Sequence, residues 1–183
     1  GISLFESGAS HNIVSGNYIG TDVDGKKAIS NAGNGIQMGT GAQHNIIGGK
    51  TPGERNLISG NVDDGISMYD SETMSNSVSG NYIGTDATGS MALGNGSTGV
   101  SIGGGAQCNI VGGKTAQHRN LISANRAGVS LWGNGTTSNT ISGNYIGVDA
   151  SGGQPLGNEQ YGVLIHAGPQ NNTIGGDTAG ERN

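Results

Sequence analysis

Three aspartates recur at one place in this chain. Asp22, Asp86 and Asp149 each close a copy of Gly-Asn-Tyr-Ile-Gly-(Thr/Val)-Asp, and the copies stand 64 and 63 residues apart. Regularly spaced carboxylates have three chemical uses. A pair about 5 to 9 Å apart can hydrolyse a glycoside. Joined by further oxygen ligands, they bind calcium. Singly, an aspartate caps a turn by accepting nearby backbone N–H groups. These three are copies of one another, whereas an active site is normally a unique departure from a repeat. Turn capping is therefore favoured over a calcium site at Asp22, Asp86 and Asp149, and both over catalysis. Counting from the preceding isoleucine, Asn61 and Asn125 fill the corresponding place in the copies between.

Other reactive side chains are sparser. Asp63, Asp64, Asp70 and Glu72 form one local acidic group, which solvated turns explain as well as a groove does. Arg55, Arg119 and Arg182 recur before an Asn-Leu-Ile motif or its start, where they can tie a loop down through backbone carbonyls. His11, His44 and Cys108 fall in one column, but Ser75 interrupts it, so a three-ligand metal site is not expected. No Ser-His-Asp constellation stands out. No residue is assigned a catalytic role.

The aromatic side chains carry the strongest binding pattern. Phe5, Tyr69 and Trp132 occupy one outward column, alternating with Gly39 and Gly103. Rings about 10 Å apart on a flat face suit stacking on successive sugars of a polysaccharide. Tyr18, Tyr82 and Tyr145 form a second column, alternating with Leu57 and Leu121. For these tyrosines, packing beneath the loops that carry Ile29, Leu93 and Leu156 is the favoured role.

The elements that must hold these residues are short and repeated. Gly-(Ile/Val)-x-(Leu/Met/Ile) begins at Gly1, Gly35, Gly65, Gly99, Gly128 and Gly162, at intervals of 34, 30, 34, 29 and 34. The unit is thus a coil of about 30 residues, and the 64-residue period is a pair of unlike coils. Each coil adds an Asn-x-(Ile/Val) segment and an Asn-(Tyr/Leu)-Ile segment. All three alternate with period 2 and are bracketed by Gly or Asn, which marks strands with one buried face. In odd coils the extra residues follow the third segment, as in 22–31. In even coils they separate the second segment from the third, as in 48–55. A single coil cannot bury its apolar face, so the coils must stack. The expected fold is all-β: a parallel β-helix of about five to six coils, with three short strands per coil, forming one domain over 1–183. Asn12, Asn45, Asn76, Asn109, Asn139 and Asn172 should form a ladder, because Asn tolerates tight turns and can bond the next coil.

Composition narrows the function. The chain of 183 residues has 38 glycines, only 3 prolines, 13 acidic and 8 basic residues, and a net charge of −5. No basic patch can track a phosphate backbone, so nucleic acid is not an expected partner. No apolar run reaches about 18 residues, so no membrane span is expected. The lone Cys108 excludes an internal disulfide. The chain starts and stops within the repeat and reads as a piece of a longer array. Open ends would expose strand edges and favour end-to-end self-association.

The Asn-(Thr/Ile)-Ile-Gly-Gly, Arg-Asn-Leu-Ile-Ser-Gly-Asn and Gly-Asn-Tyr-Ile-Gly-Thr-Asp motifs resemble the right-handed parallel β-helix repeats of the pectate-lyase-like superfamily. Such arrays occur in large bacterial surface and secreted proteins. The resemblance spans essentially the whole chain. It implies an extracellular or cell-surface setting and either of two functions. One is a non-catalytic structural or adhesive segment contacting glycans. The other is part of a polysaccharide lyase or glycoside hydrolase. Lyases of this superfamily use an Arg or Lys base beside calcium, but no matching acidic cluster is visible here. No cofactor is expected unless calcium binds the Thr-Asp loops.

Overall fold

A computed structural model describes residues 1–183 as a parallel β-solenoid with three sheets. The first sheet stacks Ile2–Phe5, Ile36–Gly39, Ile66–Met68, Thr98–Gly103, Ala127–Trp132 and Tyr161–His166. The second stacks Ile13–Val14, Ile46–Gly48, Ser77–Ser79, Ile110–Gly112, Thr140–Ser142 and Thr173–Ile174. The third stacks Tyr18–Ile19, Leu57–Ile58, Tyr82–Ile83, Leu121–Ile122 and Tyr145–Ile146. The only helical segments are single 3-10 turns at Pro52–Glu54, Ala116–His118 and Ala179–Glu181. No helix is long and apolar enough to cross a membrane.

Register follows the repeat. Ile2 pairs with Ile36, Ile36 with Ile66, Ile66 with Val100, Val100 with Val129, and Val129 with Val163. Ile19, Ile58, Ile83, Ile122 and Ile146 line up in the third sheet. These columns, with Met38, Met68 and Ile102, meet in one continuous core. Because successive side chains alternate in direction, a slip of one residue would turn every column outward, so the register is strongly specified.

The corners are held by three asparagine ladders, not one. The expected ladder runs through Asn12, Asn45, Asn76, Asn109, Asn139 and Asn172. A second runs through Asn17, Asn56, Asn81, Asn120, Asn144 and Asn183. The third joins Asn31, Asn61, Asn95, Asn125 and Asn158. At each interior rung Oδ1 accepts from the preceding coil, and Nδ2 donates to the next rung and to a backbone carbonyl of the preceding coil, which lies in a strand for the second and third ladders and in the corner itself for the first. This third ladder corrects the alignment of Asn61 and Asn125 with the aspartates. Their counterparts are Asn31, Asn95 and Asn158, each nine residues beyond its aspartate. In odd coils the chain leaves the corner at Asp22 or its copies and returns to the hydrogen-bonded position only at the asparagine.

Candidate functional site

The Thr-Asp loops come first, since their carboxylates are the most regular. Asp22 Oδ1 accepts the backbone N–H groups of Lys26 at 2.8 Å and Lys27 at 3.2 Å. Asp86 Oδ1 accepts those of Ser90 and Met91, both at 3.1 Å, and its carboxylate accepts the Thr88 hydroxyl. Asp149 Oδ1 accepts Gly153 at 3.2 Å, Gln154 at 3.1 Å and the Ser151 hydroxyl at 2.7 Å. All three are turn caps. No group of three or more His, Cys, Asp and Glu side chains is placed to hold a metal ion.

These bonds hold the carboxyls below their ordinary values. At Asp22 the Lys26 amide is the main cause, and at Asp149 the Ser151 hydroxyl. At Asp86 burial opposes ionisation, but the Thr88 hydroxyl and the Met91 and Ser90 amides together outweigh it. Glu54 and Glu181 are lowered chiefly by the hydroxyls of Thr51 and Thr178, which they bind across the even-coil 3-10 turns. Asp64 moves the other way: burial raises it, although its Oδ1 accepts the Thr98 amide at 2.9 Å. A carboxyl lowered by folding stabilises the fold above its unfolded value, 3.8 for Asp or 4.5 for Glu, and that stability is lost as pH falls through the folded value. Asp64 contributes with the opposite sign. Melting temperature should therefore rise between about pH 2 and about pH 5. Circular dichroism melts would check this, and Asp86→Asn, which keeps an acceptor but no titrating charge, should flatten part of the rise.

The expected aromatic stripe exists but is not evenly spaced. Phe5 and Tyr69 lean toward each other across Gly39 and meet edge to face, with ring centroids 6.2 Å apart. A Cβ on Gly39 would lie 3.0 Å from Phe5 Cε1 and 3.1 Å from Tyr69 Cζ. Tyr69 is anchored by its hydroxyl, which accepts from Gln37 Nε2 at 2.7 Å. Trp132 lies flat over Gly103, where any Cβ would collide with the indole. Its Nε1 donates to Ser101 Oγ at 3.1 Å, and the side chain remains 38% exposed. The glycines between the aromatic positions are thus the floor on which the rings rest. Ser67, Ser101 and Ser130, although outward, are buried.

The tyrosine column is a seat for the odd-coil loops, though the contact is through glycine. A Cβ on Gly25 would lie 3.0 Å from Tyr18 and 2.6 Å from Leu57, and one on Gly89 would lie 2.8 Å from Tyr82 and 2.9 Å from Leu121. Gly152 meets Tyr145 in the same way. Ile29 is left exposed. Successive odd-coil loops also bond each other across the intervening coil: Ala87 N donates to Gly25 O and Ala150 N to Gly89 O, both at 2.9 Å. Leu57 and Leu121 are thereby covered, at 2% exposure.

Sequence reasoning missed the arginines' main contact. The Arg55 guanidinium lies 4.0 Å above the Tyr82 ring and that of Arg119 lies 4.1 Å above Tyr145. Arg119 Nε also donates to Gly143 O at 3.2 Å, as a loop tie should, but Arg55 Nε is buried without a partner. The stack joins different coils and different motifs, so neither column announced the other. The usable signal was that Leu57 pairs with Tyr82 and Leu121 with Tyr145, each with an arginine two residues upstream of the leucine.

The remaining candidates occupy turn positions. His11 and His44 stack with centroids 5.1 Å apart, at left-handed turn positions with φ of 60° and 54°. Cys108 occupies the same turn position and is exposed and unpaired. Asp70 and Glu72 also sit at positive φ, in the corner that follows the first sheet. No protein-family profile, curated protein or solved structure matches this chain.

Proposed function

We propose that this chain is a structural and adhesive solenoid segment that contacts polysaccharide through the aromatic face of its first sheet. Trp132 carries the reading: a ring laid flat on a glycine, pinned by Ser101 and open on its outer face, is the geometry that stacks on a pyranose ring. Phe5 and Tyr69 extend the same face by an edge-to-face pair. The repeated polar side chains support a structural role, because asparagines and aspartates alike are committed to corners and turns. The resemblance of the repeat to pectate-lyase-like arrays agrees with this reading and with an extracellular or cell-surface setting. The same resemblance leaves a lyase or hydrolase fragment as the alternative.

A glycan array with the 183-residue chain tests the proposal. Binding is expected, and Trp132→Ala should weaken it about tenfold, the scale of one aromatic stacking contact. Binding unchanged by that substitution, or absent throughout, would reject the first-sheet face. Unsaturated products or new reducing ends after incubation with acidic polysaccharides would instead establish the enzyme.

A further inference from the structure

The arginine–tyrosine stack lies in a groove along the third sheet, away from the aromatic face. One wall is built by the even-coil segments that end in Arg55 and Arg119. The other is built by the odd-coil loops, which present Ala87 and Ala150. A cleft of 340 Å³ opens between the two even-coil segments, and clefts of 90, 210 and 330 Å³ follow one another along the groove, each lined by Arg55, by Arg119 or by both. Arg182 lines the last of them.

The arginines are held but not neutralised. Stacking on tyrosine fixes each guanidinium plane and leaves its N–H edge free. The terminal nitrogens of Arg55 and Arg119 have no protein acceptor, and Arg119 spends only Nε, on Gly143. The single ion pair in the molecule is Lys114 with Glu181, so no carboxylate answers these arginines. The nearby aspartates and Glu54 are engaged in their own turns. A fork of donors, oriented and unpaired, is what a carboxylate takes in bidentate fashion.

Spacing selects the ligand. Arg55 and Arg119 are two coils apart, about 10 Å along the axis. An extended glycan with an acid on every second sugar presents its carboxylates at a comparable interval. A stacked nucleic-acid strand carries a phosphate about every 3.4 Å, far denser than these arginines. It would also need open aromatic faces, and here those faces are covered by guanidinium. We propose that this groove binds an acidic polysaccharide strand along the solenoid axis, with its carboxylates on Arg55 and Arg119. The site stands apart from the first-sheet face and does not depend on it.

The test is a titration of the isotopically labelled chain with a hyaluronan oligosaccharide, whose uronate recurs on every second sugar. Amide shifts should move at Gly80, Ala87, Gly143 and Ala150, which locates the site without any substitution. Affinity should fall as salt is raised. Arg55→Ala and Arg119→Ala should each weaken binding about tenfold, and Arg→Lys should not restore it, because lysine offers a point charge without the fork. Equal affinity for a neutral cello-oligosaccharide, or no binding at all, would overturn the proposal. Tighter binding of oligothymidylate would overturn it in favour of a phosphate strand. Shifts confined to Ser101 through Trp132 would also overturn it and would leave the first-sheet reading standing.

Discussion

Asn81→Ala should lower the unfolding free energy by about 3 to 5 kcal/mol. Asn81 is fully buried in the middle of the second ladder. Its Oδ1 accepts from Asn56 N at 3.2 Å and Asn56 Nδ2 at 2.9 Å. Its Nδ2 donates to Ile47 O at 2.9 Å, Ser79 O at 3.1 Å and Asn120 Oδ1 at 3.1 Å. Truncation removes one side chain but strands polar groups on three coils, none of which water can reach. Each buried group left unpaired costs about 1 to 3 kcal/mol, and neighbouring losses overlap, so the total falls short of their sum. Asn81→Asp should be no better, because a carboxylate restores the acceptor but leaves Ile47 O and Ser79 O facing a buried negative charge. Asn172→Ala is the control. In the 183-residue chain used for the measurement it is the last rung of the first ladder and is partly exposed, so water replaces what is lost. Urea unfolding followed by circular dichroism would measure both. Equal losses for Asn81 and Asn172 would mean that burial does not set the strength of the ladder.

The architecture was readable because a solenoid writes its packing into its period. Ile36, Ile66 and Val100 recur at the coil interval, and each pairs with its copy. The exceptions arose where the chain leaves that interval. Counting from the strand end put Asn61 with Asp22, but hydrogen bonding put it with Asn31. A loop can be extruded from a corner without moving the corner, and a count cannot tell extruded residues from retained ones. The candidate sites were less legible for a related reason. Column analysis reports which residues share a face, not where long side chains lean. Phe5 and Tyr69 are two coils apart by count, yet they touch because glycine between them leaves room. Arg55 reaches Tyr82 across a coil boundary and past a motif boundary. Backbone columns follow from spacing alone, whereas ring and guanidinium contacts depend on rotamers and on what the neighbouring coil leaves empty.

Gly84→Ala should cost about 3 to 5 kcal/mol, and the same change at Gly41 only about 1 to 2. Gly84 ends the Gly-Asn-Tyr-Ile-Gly motif and Gly41 lies in the turn after Ile36–Gly39; both are left-handed, with φ of 92° and 89°. A side chain pays the conformational penalty at either place. Their surroundings differ. A Cβ at Gly84 would press into the backbone carbonyl of Ser123 and the amide of Asn125 on the next coil. At Gly41 the nearest atom is Ser7 N, at 3.5 Å, an ordinary contact. Gly20, Gly48 and Gly112 repeat the Gly84 arrangement against Ser59, Ser79 and Ser142. These glycines therefore set how closely one coil can lie on the next. A methyl group there must push apart two strands whose hydrogen bonds require about 4.8 Å. The difference between the two variants isolates that steric cost from the shared cost of positive φ. It can be read from denaturant midpoints and from amide exchange at the third-sheet strands. If the two losses are equal, the motif's final glycine is needed only for its turn, and coil spacing is set by the ladders alone.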